Sequence, residues 1–267
     1  MKVLLIGEGA REHIIAEKLA QDAELYSIMS RKNPAIAQLS KKYWIADTSD
    51  ADAVAKAVDA DIDLAFSSPD ATLAAGVSDA LADKGMLVAS PLKAAARIEW
   101  DKGFMRNLME KYRIAGSPRH KLASSEEEAI KAIRDFGMVA IKPLGLTGGK
   151  GVKVSGDHFK AIEEKFAYAQ ELIRKDGNVL IEEKLIGEEF TLQAFSDGNS
   201  LAYMPPVQDH KRAFIKDEGP NTGGMGAYTT GNLLPFMRND DLEHAQEIMR
   251  LIQESSSSVI GPFSRAS

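Results

Sequence analysis

Cysteine is absent from this chain, which removes disulfides, thiolate metal sites and cysteine nucleophiles and is compatible with a reducing cytosol. No block of lysine and arginine is long enough to track a phosphate backbone, and the formal net charge is −6. A nucleic-acid partner is therefore not expected, and small-molecule chemistry is. Long apolar runs are missing as well. The opening Met1-Lys2-Val3-Leu4-Leu5-Ile6 stops at Gly7, too short for a signal-peptide core or a membrane span, so no membrane partner is expected and the expected compartment is the cytoplasm. No internal repeat or long linker is evident, apart from the serine run 255–258. What is present is ordinary globular composition, 44% hydrophobic and 27% charged over 267 residues, a length that suits about two domains.

Residues 3–6 read as a buried strand, followed by the turn Gly7-Glu8-Gly9-Ala10 and a helix over about 11–21. A second apolar stretch, 62–66, runs into Ser67-Ser68-Pro69-Asp70 and a helical pattern over 73–83; a third, Met86-Leu87-Val88, precedes Ser90-Pro91. Strands alternating with helices predict a parallel sheet covered on both faces. Ligands of such sheets sit at the carboxyl ends of the strands, where the turns 7–10 and 67–70 fall. A dinucleotide-dependent dehydrogenase would rest on Gly7 and Gly9 alone, because the third glycine position of a GxGxxG pattern holds Glu12, whose charge opposes a pyrophosphate at a helix start.

A helix over about 100–112 and the turn Gly116-Ser117-Pro118 lead into a second unit. Ser124-Ser125-Glu126-Glu127-Glu128 supplies the N-cap and acidic first turn of a helix that Gly137 ends after about residue 136. Residues 138–143 form a predicted strand that projects Lys142 opposite its apolar neighbours. The turn Gly145-Leu146-Thr147-Gly148-Gly149-Lys150-Gly151 then precedes Val152-Lys153-Val154. It resembles a phosphate-covering hairpin rather than a Walker loop, which requires Ser or Thr after the lysine and a helix beyond. A further strand, 179–181, leads into Glu182-Glu183-Lys184-Leu185-Ile186-Gly187-Glu188-Glu189.

The most telling segments are Gln208-Asp209-His210-Lys211-Arg212 and Glu218-Gly219-Pro220-Asn221-Thr222-Gly223-Gly224-Met225-Gly226-Ala227-Tyr228. The glycines permit positive φ and close backbone approach, and Asn221, Thr222 and the freed N–H groups can donate to anionic oxygens. The charged run brings one carboxylate, one imidazole and two cations, a mixture suited to a zwitterionic or phosphorylated small substrate. The plainer alternative is a glycine-rich surface turn beside a solvated charge run.

A strand lysine with a glycine hairpin just after it, a strand ending in Glu-Glu-x-Leu about forty residues on, and the further acid Glu189 together resemble the ATP-grasp ligases. Four segments are similar in particular to the phosphoribosylamine–glycine ligase family: Gly7-Glu8-Gly9-Ala10-Arg11-Glu12-His13, Leu144-Gly145-Leu146-Thr147-Gly148-Gly149-Lys150-Gly151, the charged run 208–212, and the block 219–228. The resemblance implies an α/β fold: an N-terminal parallel-sheet (pre-ATP-grasp) domain followed by an ATP-grasp α+β module whose central domain is incomplete. It divides the chain into a Rossmann-like substrate domain (1–100), a connecting helix and hinge (101–122), a lid subdomain (123–190) and a partial central subdomain (191–267).

By the same resemblance ATP is bound by Lys102, Lys142, Gly148, Gly149, Lys150, Gly151, Glu182, Glu183, Leu185 and Glu189, and Lys142, Asp209, Lys211 and Arg212 are the catalytic candidates. Gly9, Arg11, Glu12, His13, Pro69 and Asp70 would hold 5-phosphoribosylamine. Asp209, His210, Asn221, Thr222, Gly223, Gly224 and Met225 would frame glycine and an acyl phosphate. His13 and His210 are each as readily a capped helix start or a surface histidine. The implied reaction is ATP + glycine + 5-phosphoribosylamine giving glycinamide ribonucleotide, ADP and phosphate. Ala10 stands where the family has a second adjacent glycine, and Ser68-Pro69-Asp70 where it has Gly-Pro-Glu; altered substrate affinity, not lost function, is the expectation.

The cofactors implied are ATP with Mg or Mn, whose carboxylate and amide ligands the resemblance puts beyond residue 267, so no metal ligand is assigned. The chain reads as cut short, with weak or no activity expected alone and a separate C-terminal fragment as a candidate partner. A non-catalytic ATP-binding fragment and one half of a split enzyme stay open as alternatives. The nearest enzymatic rival is another ATP-grasp ligase acting on a different carboxylate, against which the block 209–228 stands.

Overall fold

A run of four apolar residues ended by a glycine suits a strand covered on both faces. The computed structural model builds that strand, Lys2–Ile6, into the middle of a parallel sheet. The structure describes residues 1–59, 61–146, 151–215 and 218–260. They form two compact units, one built on Met1–Trp100 and the other on Asp101–Ser255.

In the first unit the elements follow as β1 (Lys2–Ile6), α1 (Ala10–Asp22), β2 (Glu24–Met29), α2 (Pro34–Leu39), β3 (Lys42–Ile45), α3 (Ala51–Ala57), β4 (Leu64–Ser67), α4 (Asp70–Ala75), α5 (Val77–Asp83), β5 (Leu87–Val88) and α6 (Lys93–Trp100). The strand order is β3-β2-β1-β4-β5, all parallel. Alternate residues of β1 enter separate cores. Leu4 and Ile6 pack with Tyr26, Ile28, Val54 and Leu81, whereas Leu5 packs with Ala16, Leu25, Met29 and Ile36. The order of connection reverses between β1 and β4, and at such a switch point the carboxyl ends of the two strands open a crevice. The turns after β1 and β4 both lie there, as expected. The helix expected over 73–83 is broken in two because Gly76 adopts φ 88° and ends α4.

In the second unit come α7 (Lys102–Lys111), β6 (His120–Ala123), α8 (Glu126–Phe136), β7 (Val139–Lys142), β8 (Lys153–Val154), α9 (Ile162–Asp176), β9 (Val179–Glu183), β10 (Ala194–Ser196), β11 (Leu201–Tyr203), β12 (Gln208–Phe214), β13 (Glu218–Tyr228) and α10 (Asn239–Ile260). The helix expected from residue 100 starts instead after Asp101, whose carboxylate accepts the Phe104 N–H at 2.9 Å and caps α7. An antiparallel sheet β6-β9-β7-β8 places Val139, Ile141, Val179 and Ile181 in a core with Ala129, Ile133, Ala169 and Leu172. The serine run 255–258 continues α10. Two hairpins, β10–β11 and β12–β13, complete the described strands, and Phe195, Phe214, Ile215 and Met225 on them or at their ends are exposed. No helix among the described residues is long and apolar enough to cross a membrane.

The start of α8 is built as the sequence predicts. Ser125 accepts from the Glu128 N–H, while the Glu128 carboxylate takes the Ser124 N–H at 2.9 Å and pairs with Lys121 at 3.1 Å. The Ser124 N–H, together with Lys121 and the Ser124 hydroxyl, holds the Glu128 carboxyl down to about 2. Its contribution to stability is thus present above the ordinary carboxylate range and is lost as pH falls toward about 2. A carbon-13 NMR titration of the Glu128 carboxyl should find a midpoint well below that of ordinary glutamates, and E128Q should remove the corresponding acid limb.

Candidate functional site

The face of the β6-β9-β7-β8 sheet opposite its apolar core carries the residues that alternation turns away from it. Lys142 at the end of β7 sits opposite Leu180, and Glu182 of β9 opposite Ala140. Lys142 and Glu182 are therefore diagonal neighbours, within reach for long side chains. The Lys142 Nζ lies 2.5 Å from one Glu182 carboxylate oxygen, and the Arg106 Nε donates to the other at 2.5 Å. Lys102, four residues before Arg106 and hence on the same side of α7, donates its ammonium to the Leu144 and Gly145 carbonyls at 3.4 and 2.9 Å.

Three cations are thus gathered about one carboxylate that is 3% exposed. Burial alone would raise the Glu182 carboxyl, but the Arg106 hydrogen bond and the charge of Lys142 outweigh it and hold it below the usual carboxylate range. Lys102 is pushed down, first by burial and then by the charge of Lys142, against the opposing pull of Glu182 and Asp101. Surplus positive charge on partly desolvated side chains, close to the carbonyls of Leu144 and Gly145, is an arrangement that binds polyanions. Lys102, Lys142 and Glu182, all named as candidate ATP contacts, lie together, with Lys142 paired to Glu182. Arg106 joins them without having been singled out, although the spacing Lys102-x-x-x-Arg106 on a predicted helix was the available signal. Gly148, Gly149 and Lys150 lie outside the described residues; Gly151 accepts from the Tyr168 hydroxyl at 2.6 Å through its carbonyl.

Beyond Glu182 the chain leaves the sheet. The Glu183 carboxylate turns to Arg119, accepting its backbone N–H at 2.8 Å and its guanidinium at 2.7 Å, which fixes the backbone from 183 onward. Leu185 is 65% exposed and lines an open cleft. Glu189 pairs with Lys211 at 2.5 Å, and Asp209 lies 3.7 Å from the same ammonium. The Glu189 hydrogen bond, ahead of the charge of Asp209, raises Lys211 against a smaller burial effect.

The block 218–228 is a strand, β13, hydrogen-bonded to β12 with irregular register, where a glycine-rich loop was expected. Positive φ occurs at Gly219 (86°) and Gly224 (114°); a Cβ on Gly219 would run into the Phe214 ring. Asn221, Thr222, Gly223, Gly224 and Met225 are exposed along it. The Thr222 hydroxyl donates to the Lys211 carbonyl and accepts from the Gly224 N–H, each at 3.0 Å. His210 stacks on Tyr228 with ring centroids 6.1 Å apart. Arg212 donates to the Gly219 carbonyl at 2.9 Å and to Asp157 at 2.8 Å.

In the first unit, Gly9, Arg11, Glu12 and His13 form the start of α1, and Pro69 and Asp70 the start of α4. Glu12 is 5% exposed, and its two oxygens accept from the Gly9 N–H at 2.8 Å and the Ser68 hydroxyl at 2.5 Å. Its carboxylate ties the two turns together and fills the space over Gly7, where φ is 119° and a Cβ would approach Glu12 and Pro69 to 2.8 Å. Arg11 and Asp70 are exposed, and His13 faces Glu17 at 3.3 Å.

No group of three or more His, Asp or Glu side chains gathers as a metal site among the described residues. Two family models match. One, described as the N domain of phosphoribosylglycinamide synthetase, covers residues 1–99; the other, its ATP-grasp (A) domain, covers residues 100–261. A phosphoribosylamine–glycine ligase from Methanosarcina barkeri is 51% identical over 255 residues, spanning 94% of this chain and 59% of the relative. The ligase of the same name from Methanopyrus kandleri is 46% identical over 266 residues, spanning 96% and 59%. The chain therefore spans about three fifths of the length of the curated relatives it matches. The crystal structure of phosphoribosylamine–glycine ligase from Thermotoga maritima superposes with a TM-score of 0.78 at 25% identity, covering 100% of this chain and 63% of that one.

Proposed function

Since this chain belongs to the phosphoribosylglycinamide synthetase family, we propose that it carries nucleotide- and substrate-binding surfaces of a phosphoribosylamine–glycine ligase. That enzyme would join glycine to 5-phosphoribosylamine with cleavage of ATP, giving glycinamide ribonucleotide, ADP and phosphate. The observation that carries the nucleotide half of this reading is the gathering of Lys102, Arg106 and Lys142 about Glu182.

A carboxylate resists attack by an amine until one of its oxygens becomes a leaving group. Transfer of the γ-phosphoryl group to glycine would supply one, as glycyl phosphate, and the amine of 5-phosphoribosylamine would then displace phosphate. Positioning and charge neutralisation are the protein's main contributions to such a step. Lys102 and Lys142 would balance the charge of the transferring phosphoryl group, and the backbone from Glu183 to Leu185, fixed by Arg119, would meet the adenine edge. Lys211 and Arg212 would face the glycine carboxylate and acyl phosphate, and Asp209 the glycine ammonium, with His210 and the strand from Asn221 to Met225 framing them. Gly9, Arg11, His13, Pro69 and Asp70, tied by Glu12, would receive the sugar phosphate at the switch point of the parallel sheet. The described residues do not provide a carboxylate set for Mg or Mn.

Calorimetric titration should find ATP binding by this chain and no binding of NADH; an absence of ATP binding overturns the nucleotide reading. Hydroxylamine added with ATP and glycine should trap at most a trace of glycine hydroxamate, in line with the weak or absent activity expected of this chain alone, and trapping at an ordinary enzymatic rate would overturn that expectation.

A further inference from the structure

Pairing of β8 with β7 begins at Lys153, so Gly151 stands outside the ladder. Its carbonyl is taken instead by a side chain, the Tyr168 hydroxyl of α9, which donates to it at 2.6 Å. Tyr168 is 8% exposed and belongs to the apolar core, on the face of the sheet opposite Lys142 and Glu182. Its ring packs on Phe159, with centroids 5.9 Å apart, and carries the Lys153 ammonium 3.8 Å from its centroid. Burial, and then the charges of Glu171 and Asp176, push the hydroxyl up, so it stays a donor across neutral and mildly alkaline pH. Gly151 in turn has φ 89°, and a Cβ there would lie 3.2 Å from the Pro143 Cγ and 3.5 Å from the Tyr168 oxygen. Gly151 is thus seated against both.

Pro143 is the link to the cations. Lys142 directly precedes it, and Leu144 and Gly145, whose carbonyls accept from Lys102, directly follow it. A locked φ at proline passes a displacement on to its neighbours rather than absorbing it. We propose that Tyr168 is a positioning residue for the nucleotide cluster: by holding Gly151 against Pro143 it sets the segment 142–145, and with it Lys142 and the two carbonyls that hold Lys102. Tyr168 acts from the far face of the sheet and does not itself reach the phosphates. The proposal rests on the nucleotide reading given above.

The test is a double-mutant cycle read by calorimetric titration with ATP and by thermal unfolding without it. Y168F deletes only the hydroxyl and keeps the packed ring; it should weaken ATP binding about five- to tenfold, the equivalent of one lost hydrogen bond. In K142M the same change should cost less than about threefold, because the main cation that Tyr168 positions is gone. Leu172 lies one turn along α9 in the same core and offers no donor to Gly151. L172V should therefore lower the unfolding midpoint comparably to Y168F and leave ATP affinity unchanged. Unchanged affinity in Y168F, or an equal loss with and without Lys142, would overturn the proposal and leave Tyr168 as a core residue. A matching loss of affinity in L172V would overturn it too, by making the effect one of general core stability. Weaker ATP binding in K142M with none in Y168F sinks this inference alone; failure of the unchanged chain to bind ATP removes the nucleotide reading and this inference with it.

Discussion

E182Q should lose about 3–5 kcal/mol of stability, the cost typical of breaking a buried ion-pair network from one side. For a unit of this size that corresponds to an unfolding midpoint lower by about 10 °C, measured by circular dichroism in nucleotide-free buffer. The amide keeps the shape of the carboxylate but leaves Lys142 and Arg106 facing a neutral group, with Lys102 adding to the repulsion. Because the surplus charge then has no internal partner, ATP should raise the midpoint of E182Q by more than it raises that of the unchanged chain. E189Q, which removes an exposed pair with Lys211, should move the midpoint by less than about 2 °C. A loss of that same small size in E182Q would show that the cluster does not carry the stability ascribed to it.

The sign of the pH dependence follows from the direction in which Glu182 is shifted. Its folded-state carboxyl lies below the usual range, so its contribution is complete above the ordinary glutamate value of about 4.3 and is lost as pH falls through the lower folded value. The difference in midpoint between the unchanged chain and E182Q should therefore be full at neutral pH and narrow below about pH 4.

Much of this site was legible from residue type and period. Alternation set Lys142 apart from the apolar face of its strand, the resemblance to ATP-grasp ligases named Glu182 beside it, and the switch-point turns could be located from the apolar runs that precede them. The elements that escaped are those whose signal is tertiary. β2 carries Ser27, fully buried and satisfied by the Ser40 hydroxyl at 2.9 Å, so its sequence does not read as an apolar run. β3, at the sheet edge, has mostly exposed residues. α9 buries Tyr168, Ala169 and Leu172 in the core, but its N-cap is Ala161, which offers no side-chain oxygen to mark the start of a helix. The block 218–228 read as a loop because strand propensity rests on side chains, whereas β13 is held by backbone pairing with β12 and needs positive φ at Gly219 and Gly224. Arg106 and Asp157 acquire meaning only through the partners that the fold brings to them, Glu182 and Arg212.

K142M should weaken ATP binding by about 50-fold at neutral pH, since a charge-assisted hydrogen bond to an ionised group contributes about 1.5–3 kcal/mol. Glu182 keeps Arg106 in this variant, so the loss of stability should be smaller than in E182Q, and affinity and stability separate. K142R retains the charge but replaces a compact ammonium by a planar fork; it should recover more of the stability than of the affinity. Lys102 supplies a further readout. Its ammonium is already lowered by burial and then by Lys142, so ATP affinity should fall as pH rises through that lowered value and the second cation is lost. Removing Lys142 lifts one of the two influences that depress Lys102, and the alkaline limb of ATP affinity should then move to higher pH. A K142M variant with unchanged affinity and an unmoved alkaline limb would mean that the nucleotide phosphates bind away from Lys102 and Lys142, and the cluster about Glu182 would be a structural tie between α7 and the sheet.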